Sequence, residues 1–383
     1  LTSLNFQHRF FVDSTPMVGD IEKTPSNWGT LLVGGLGAGG KGYYALDITS
    51  QSTFETTGES ALASTLPIWE FTDTVDSDLG YTFNEPSINP LTGAYQQIAK
   101  IADSTEKNGL WRVIVGNGYG STGISTNPPT PGRAVLFMLD ANTGTVGTKL
   151  IADGGPANGL SAPTPVDTDR DGLVDTVYAG DALGNMHKFQ FSKPSGVDFV
   201  RAPSGDVAGQ WRYIGKVYAT GEPITTAPAV AQACDGIGWS VAFGTGKLNE
   251  NSDYGDNAAR GFYNVTDKAP SSALTVPAAD LANIVYTGTT TRSWTTPVLT
   301  SKRGWRMSFT GGERVLSNST LPPDTGSVLF ATTKPAGDIC TPGNTGFVMA
   351  VNRCSGKIGD LIVNGNVVGG AAISSTGVIK VSN

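Results

Sequence analysis

Histidine is almost missing from this 383-residue chain, which carries only His8 and His187, and none of its three cysteines belongs to a Cys-x-x-Cys pair. Zinc ribbons, thioredoxin-type exchange and histidine-based catalysis therefore have little to build on. Gly-x-Ser-x-Gly and His-Glu-x-x-His are absent as well, which removes the usual serine-hydrolase and zinc-protease signatures. Charge is thin: Asp, Glu, Lys and Arg make up 15% of the chain, against about 25% in an average domain. The 26 basic and 33 acidic residues leave a net −7. That is the wrong balance for nucleic acid or an anionic membrane surface, both of which need clustered lysine and arginine. No membrane span is expected. The longest uncharged stretch, Leu361 to Ile379, is broken by Asn364, Asn366 and several glycines and serines, so its Val/Ile runs fit strands better. The chain opens at Leu1 without a charged and then apolar leader, and it reads as the C-terminal part of a longer secreted protein.

Glycine is what the chain has in excess, 50 residues without a three-residue period. Helical periodicity is scarce. The best candidate helix, Ser271 to Ala282, is interrupted by Pro277. Short apolar or aromatic runs bounded by Gly, Asp or Asn recur instead, at Thr30–Val33, Tyr43–Ile48, Arg112–Val115, Val135–Leu139, Thr176–Ala179, Met186–Phe191, Ser240–Phe243, Val328–Thr332 and Phe347–Val351. These are strand signals. A phrase of a polar residue, proline and an apolar pair repeats around Pro16, Pro86, Pro163, Pro228 and Pro297, at intervals of 65 to 77 residues. Each is followed by an apolar run ending in glycine and then an aromatic run ending in a turn such as Asp-Ala-Asn-Thr-Gly. That order is the grammar of a propeller blade. The expected fold is all-β: a single modified β-propeller over residues 1–383, with about six to seven blades, some degenerate. Long inserted loops are expected at Gln51–Leu66, Ser121–Gly132 and Leu248–Arg260. Phe6–Val12 is expected to pair with Val378–Val381 and remove the open edge.

One segment carries recognisable metal chemistry. In Asp167-Thr-Asp169-Arg-Asp171-Gly172-Leu173-Val-Asp175 the carboxylates alternate, a glycine stands sixth, and the Leu173 carbonyl and Asp175 hold positions seven and nine. That is the first part of an EF-hand calcium loop, although Tyr178 replaces the closing glutamate and strands flank it. An all-oxygen donor set favours Ca2+ over zinc or copper, with affinity expected between micromolar and millimolar. Two further acidic clusters, Asp73/Asp76/Asp78 and Asn249 to Asp256, lack this spacing and read as solvated loops. The glycine-rich run Gly34–Gly42 matches Gly-x-Gly-x-x-Gly, but Tyr-Tyr-Ala-Leu-Asp follows it. A strand there is expected, so a phosphate-binding helix N-terminus is not. Both histidines sit in strand-like alternation and read as structural. Cys340 and Cys354 bracket two runs able to lie side by side, so a disulfide between them is expected, worth about 3 kcal/mol for a loop of this size. The alternative is two unpaired thiols. Cys234 is then left as a buried thiol.

Several phrases, taken in order, resemble the C-terminal domain of the PilY/PilC type IV pilus tip proteins. They are FVDSTPMVGD, LLVGGLGAGGKGYYALDIT, DTDRDGLVDTVYAGDALGNMHKF, VAFGTGKL, GWRMSFTGGERVLSNS and FATTKPAGDIC. The resemblance implies a modified β-propeller without enzymatic activity. It places the family's calcium loop on Asp167, Asp169, Asp171, the Leu173 carbonyl and Asp175. It further implies a role in pilus biogenesis, in the balance of extension and retraction, in twitching motility and virulence, and in cell adhesion. The partners would be type IV pilus subunits or minor pilins and host-cell or abiotic surfaces; the location would be the pilus tip or outer surface, reached through the periplasm. Two other readings compete. A quinoprotein-like propeller dehydrogenase shares the LDITS and LDANTG phrases but would want a vicinal cysteine pair, which is absent. An outer-membrane assembly scaffold propeller has no reason to carry the calcium loop.

Overall fold

A computed structural model describes residues 9–56, 58–89, 94–104, 108–123, 132–153, 155, 157–192, 209–268, 275–287, 293–322, 326–335, 345–358, 361–363, 366–368, 371–373 and 379–381. The chain divides into two units, one of Leu1–Asn89 with Ala94–Asp175, the other of Pro90–Gly93 with Thr176–Asn383. Strands dominate both.

The first unit holds two four-stranded antiparallel meanders. One is β1 (Met17–Thr24), β2 (Asn27–Gly35), β3 (Gly42–Asp47) and β4 (Pro67–Thr72); the other is β5 (Ile98–Ile101), β6 (Leu110–Gly116), β7 (Ala134–Asp140) and β8 (Val146–Asp153). A short strand, β9 (Thr164–Val166), follows. Inner strands are packed on both faces, so β7 reads as an unbroken apolar run that is buried from Ala134 to Leu139. The outer strand β4 alternates, turning Trp69 and Phe71 inward. Phe71 meets Phe137 edge-on at 5.1 Å, within one core that also takes Leu31, Val33, Val113 and Val135. Asn117 ties this core together. Its amide donates to the Asp78 and Arg133 carbonyls (2.7 and 2.8 Å) and accepts from the Val135 and Leu160 N–H groups (3.0 and 2.8 Å). All four of its hydrogen-bonding positions are used.

The second unit contains β10 (Thr176–Gly180), β11 (Asn185–Phe191) and β12 (Trp211–Ala219), again an antiparallel meander. Next comes a five-stranded sheet. Its strands are β13 (Ala229–Gln232), β14 (Trp239–Gly244), β15 (Arg260–Asp267), β16 (Ala282–Ile284) and, after the hairpin β17 (Tyr286–Thr287) and β18 (Ser293–Trp294), β19 (Gly304–Phe309). The order is β13-β14-β15-β19-β16, with β16 parallel to β19. The last sheet is β20 (Ser327–Ala331), β21 (Gly346–Asn352), β24 (Ala371–Ile373) and β25 (Ile379–Val381), with a separate hairpin of β22 (Leu361–Val363) and β23 (Asn366–Val368). Phe262 and Phe330 stack at 3.7 Å in the core of this unit.

The same device joins neighbouring sheets in each unit. In the Asp140–Gly144 turn, Asp140 accepts the amides of Asn142 and Thr143, Gly144 N–H returns to the Asp140 carbonyl (2.8 Å), and Gly144 adopts φ 70°. Trp69 lies across Gly144 and donates its indole N–H to the Ala141 carbonyl at 2.9 Å. The Asn352–Gly356 turn repeats this arrangement: Asn352 accepts from Cys354 and Ser355, Gly356 has φ 66°, and Trp305 donates to the Arg353 carbonyl at 3.2 Å.

Every run expected as a strand falls on one, with Ile48 and Thr332 one place beyond the ends of β3 and β20. Pro16, Pro163 and Pro228 directly precede β1, β9 and β13, where a strand can begin without a ladder donor. Pro86 and Pro297 directly precede none. Gly34–Gly42 makes a short 3-10 turn at Gly37–Gly39 and enters β3, as expected. Ser271–Ala282, interrupted by Pro277, forms no α-helix among its described residues: Ala278–Asp280 is one 3-10 turn and Ala282 begins β16. Two expectations are corrected and a third falls on undescribed residues. Gln51–Leu66 is instead two short helices, α1 (Gln51–Thr56) and α2 (Glu59–Thr65). The expected closing pair of Phe6–Val12 with Val378–Val381 rests in part on residues 6–8 and 378, which lie outside the described residues. Finally, Cys354 is bonded to Cys234, with Cα atoms 5.6 Å apart, and not to Cys340, which lies outside the described residues. Cys234 is accordingly an exposed half of a disulfide, not a buried thiol. The docked turn explains the pairing. Arg353 donates to the Gln232 carbonyl at 2.7 Å while its own carbonyl accepts from Asn264 and Trp305. Tertiary docking thus brings Cys354 to a residue two places beyond Gln232, 120 positions away in sequence.

Candidate metal centre

Loop 167–175 follows β9 and is clamped at its end by backbone. Asp175 N–H donates to the Val166 carbonyl at 3.1 Å, and Val174 exchanges bonds of 2.8 Å with the main chain of Lys100 and Ala102 at the end of β5. Leu173 lies over Gly109 so closely that a Cβ there would meet its Cδ2 at 2.5 Å. Between these clamps the chain curls on its own carboxylates. Asp167 accepts the Arg170 N–H through Oδ1 (2.7 Å) and the Gly172 N–H through Oδ2 (2.8 Å), while Asp171 Oδ1 accepts the Leu173 N–H at 2.9 Å. Such a curl needs left-handed backbone, found at Arg170 (φ 64°) and Gly172 (φ 90°). No atom lies within 4 Å of a Cβ placed on Gly172, so its glycine is demanded by backbone conformation and not by room.

Carboxylate oxygens of Asp167, Asp169 and Asp175 come within 4.8 Å of one another. At that separation each like-charged pair costs about 3 kcal/mol at an effective dielectric of 20. A hard divalent cation converts that repulsion into attraction, and an all-oxygen set of this kind suits calcium. Asp175 is the buried member, 1% exposed; the Thr168 hydroxyl lies 2.7 Å from both its oxygens, and the Thr168 N–H donates to Oδ1 at 3.2 Å. The structure therefore gathers three of the four expected aspartates. Asp171 is exposed, outside that group, and turned to the Leu173 amide. Thr168 was not singled out by sequence reasoning; a hydroxyl between two aspartates was its only signal. Tyr178, where the EF-hand has glutamate, is buried and donates to Asp267 Oδ2 at 2.9 Å.

The other two acidic clusters are solvated only in part, because Asp78 and Asp253 are buried. Asp78 is fully buried between Arg133 and Lys149, and Lys149 also reaches Asp76 at 2.7 Å. Burial pushes the Asp78 carboxyl up, but hydrogen bonds and charge from Arg133 and Lys149 outweigh it and hold it below the ordinary range. In the second cluster Asp253 accepts the Asn249 and Glu250 amides and pairs with Lys247 at 3.1 Å, while Asp256 pairs with Arg260. Arg314, 1% exposed, donates to the carbonyls of Lys247, Asp253, Asp256 and Gly312. Protein cations hold these loops. His187 is structural as expected, buried between Asp181 (2.8 Å) and the Tyr213 hydroxyl (3.1 Å); His8 lies outside the described residues.

The sequence profile of the PilY1 beta-propeller domain matches residues 4–285. The chain belongs to the PilY1 β-propeller family. It is 32% identical over 309 residues to the type IV pilus biogenesis factor PilY1 of Pseudomonas aeruginosa (strain UCBPP-PA14), covering 73% of this chain and 23% of that protein. A PilY1 homolog of Xylella fastidiosa is 32% identical over 386 residues, 93% of this chain and 24% of its own. The chain thus spans about a quarter of the length of these relatives. The crystal structure of the P. aeruginosa PilY1 C-terminal domain superimposes with a TM-score of 0.70 at 24% identity, over 97% of this chain and 84% of that one. The fold is accordingly a modified β-propeller, built from the mostly antiparallel sheets described above. Among the described residues no helix is long and apolar enough to cross a membrane.

Proposed function

We propose that this chain is a calcium-binding, non-enzymatic domain of a type IV pilus biogenesis protein, acting at the pilus or outer cell surface. It would regulate extension against retraction, and through that twitching motility and attachment. The observation that carries this reading is the convergence of Asp167, Asp169 and Asp175 within 4.8 Å, in a chain of the PilY1 β-propeller family. Calcium is held by those three carboxylates and the Leu173 carbonyl, with Asp171 turning inward from the Leu173 amide. Binding then stiffens a segment whose exit is bonded to Lys100 on β5 and to Ala102 just beyond it, so occupancy is transmitted to that sheet. The switch acts on contacts with pilus subunits or minor pilins.

In the full-length protein, Asp175→Asn keeps the shape of the buried side chain and removes its charge. Surface pilus number and twitching zones should then stop responding to added or chelated calcium. An unchanged calcium response would refute the regulatory role.

A further inference from the structure

An aromatic corner on the first unit lies outside the acidic loop. Trp28 is 54% exposed although it stands within β2. It is not a loosely attached side chain: its ring meets that of Trp111 at 5.9 Å and 81°, and Trp111 is in turn covered by Lys100 Nζ at 5.5 Å from its centroid. Lys100 is held by Glu22 at 3.5 Å. Cross-strand register puts Glu22 opposite Trp28 and Asp20 opposite Thr30 on one face of the β1–β2 hairpin, and Lys100 opposite Trp111 on β5–β6. The Thr30 hydroxyl donates to Asp20 at 2.7 Å. The Trp111 N–H, buried beneath the corner, has no hydrogen-bond partner among the described residues.

We propose that Trp28 and its polar rim form a binding platform for a neutral saccharide. An oriented, open indole ring receives the C–H face of a pyranose, and the ring hydroxyls need donors and acceptors beside it. Asp20, Glu22, Thr30 and Lys100 supply both kinds. The charge balance selects against other flat or extended ligands. Two carboxylates face one ammonium, which repels phosphates, uronates and sialylated chains. An apolar peptide surface would instead leave these charges desolvated.

The test is the 383-residue protein on an array of neutral and acidic oligosaccharides, followed by tryptophan-fluorescence titration with the neutral oligosaccharide that binds best. Trp28→Ala should weaken binding at least about tenfold, with Trp28→Phe between it and the parent. Trp28→Ala gives up the ring contact with Trp111, so circular dichroism should not move and the melting temperature should fall by only about a few degrees. Three results would overturn the proposal: no neutral oligosaccharide bound by the parent up to about 10 mM, acidic chains bound in preference, or full affinity retained by Trp28→Ala.

Discussion

Removing the Cys234–Cys354 bond gives the most quantitative test of the fold. The bond closes a loop of 120 residues, so the chain-entropy relation assigns it about 4.9 kcal/mol at 25 °C. Both cysteines lie in the second unit, in exposed turns, so replacement by serine leaves no cavity and the change acts mainly on the unfolded chain. Spread over a unit of roughly 200 residues, that loss lowers its melting temperature by roughly 10–20 °C. It is an upper figure, because a denatured chain that stays compact gains less freedom. The first unit contains neither cysteine and should keep its transition. The assay is differential scanning calorimetry of Cys234→Ser, Cys354→Ser, the double variant and Cys340→Ser, with non-reducing peptide mapping of the parent. The two single variants and the double should coincide, and Cys340→Ser should match the parent. A cross-linked peptide joining Cys340 to Cys354, or destabilisation by Cys340→Ser alone, would refute the pairing and the docking of the Asn352–Gly356 turn that explains it.

Gly144→Ala should destabilise the first unit by about 2–4 kcal/mol, combining left-handed strain with overpacking. Its Cβ would stand 2.6 Å from the Trp69 ring, at φ 70°, and urea unfolding reads the loss; a neutral effect would contradict the tryptophan docking. Glu222 supplies a pH test. Burial pushes its carboxyl up, and the Thr245 hydroxyl, Arg260, Tyr263 and Arg306 offset this only in part. A raised folded pKa contributes stability below the unfolded value of about 4.3 that is lost as pH rises through the folded one. Glu222→Gln should therefore raise the melting temperature at pH 7 and leave it nearly unchanged at pH 4. Equal shifts at both pH values would contradict that sign.

What was legible in the sequence was local. The apolar run Val135–Leu139 and the Gly-bounded run Thr176–Ala179 announced strands, and both are buried because a strand packed on both faces needs no polar alternation. The acidic loop was legible because the geometry of a hard-cation site is encoded within nine consecutive residues. Its exception, Asp171, turns on a competition invisible in spacing: a carboxylate two residues before an amide can cap it. The illegible features are those decided at long range. Asp78 looked solvated because its partner Arg133 is 55 positions away. Cys354 looked ready to bond Cys340 because the two bracket runs able to lie side by side, whereas a docked turn brings Cys234 to it instead. The Asp-Ala-Asn-Thr-Gly turn was visible, but not the tryptophan that lies across its glycine.

The central claim is a calcium site in loop 167–175, and calorimetric titration of chelator-stripped protein tests it most directly. The account predicts one-site binding with a dissociation constant between micromolar and millimolar, abolished by both Asp175→Asn and Asp167→Asn while each variant still melts cooperatively. Absence of binding in the parent, or undiminished affinity in a folded Asp175→Asn variant, would contradict it.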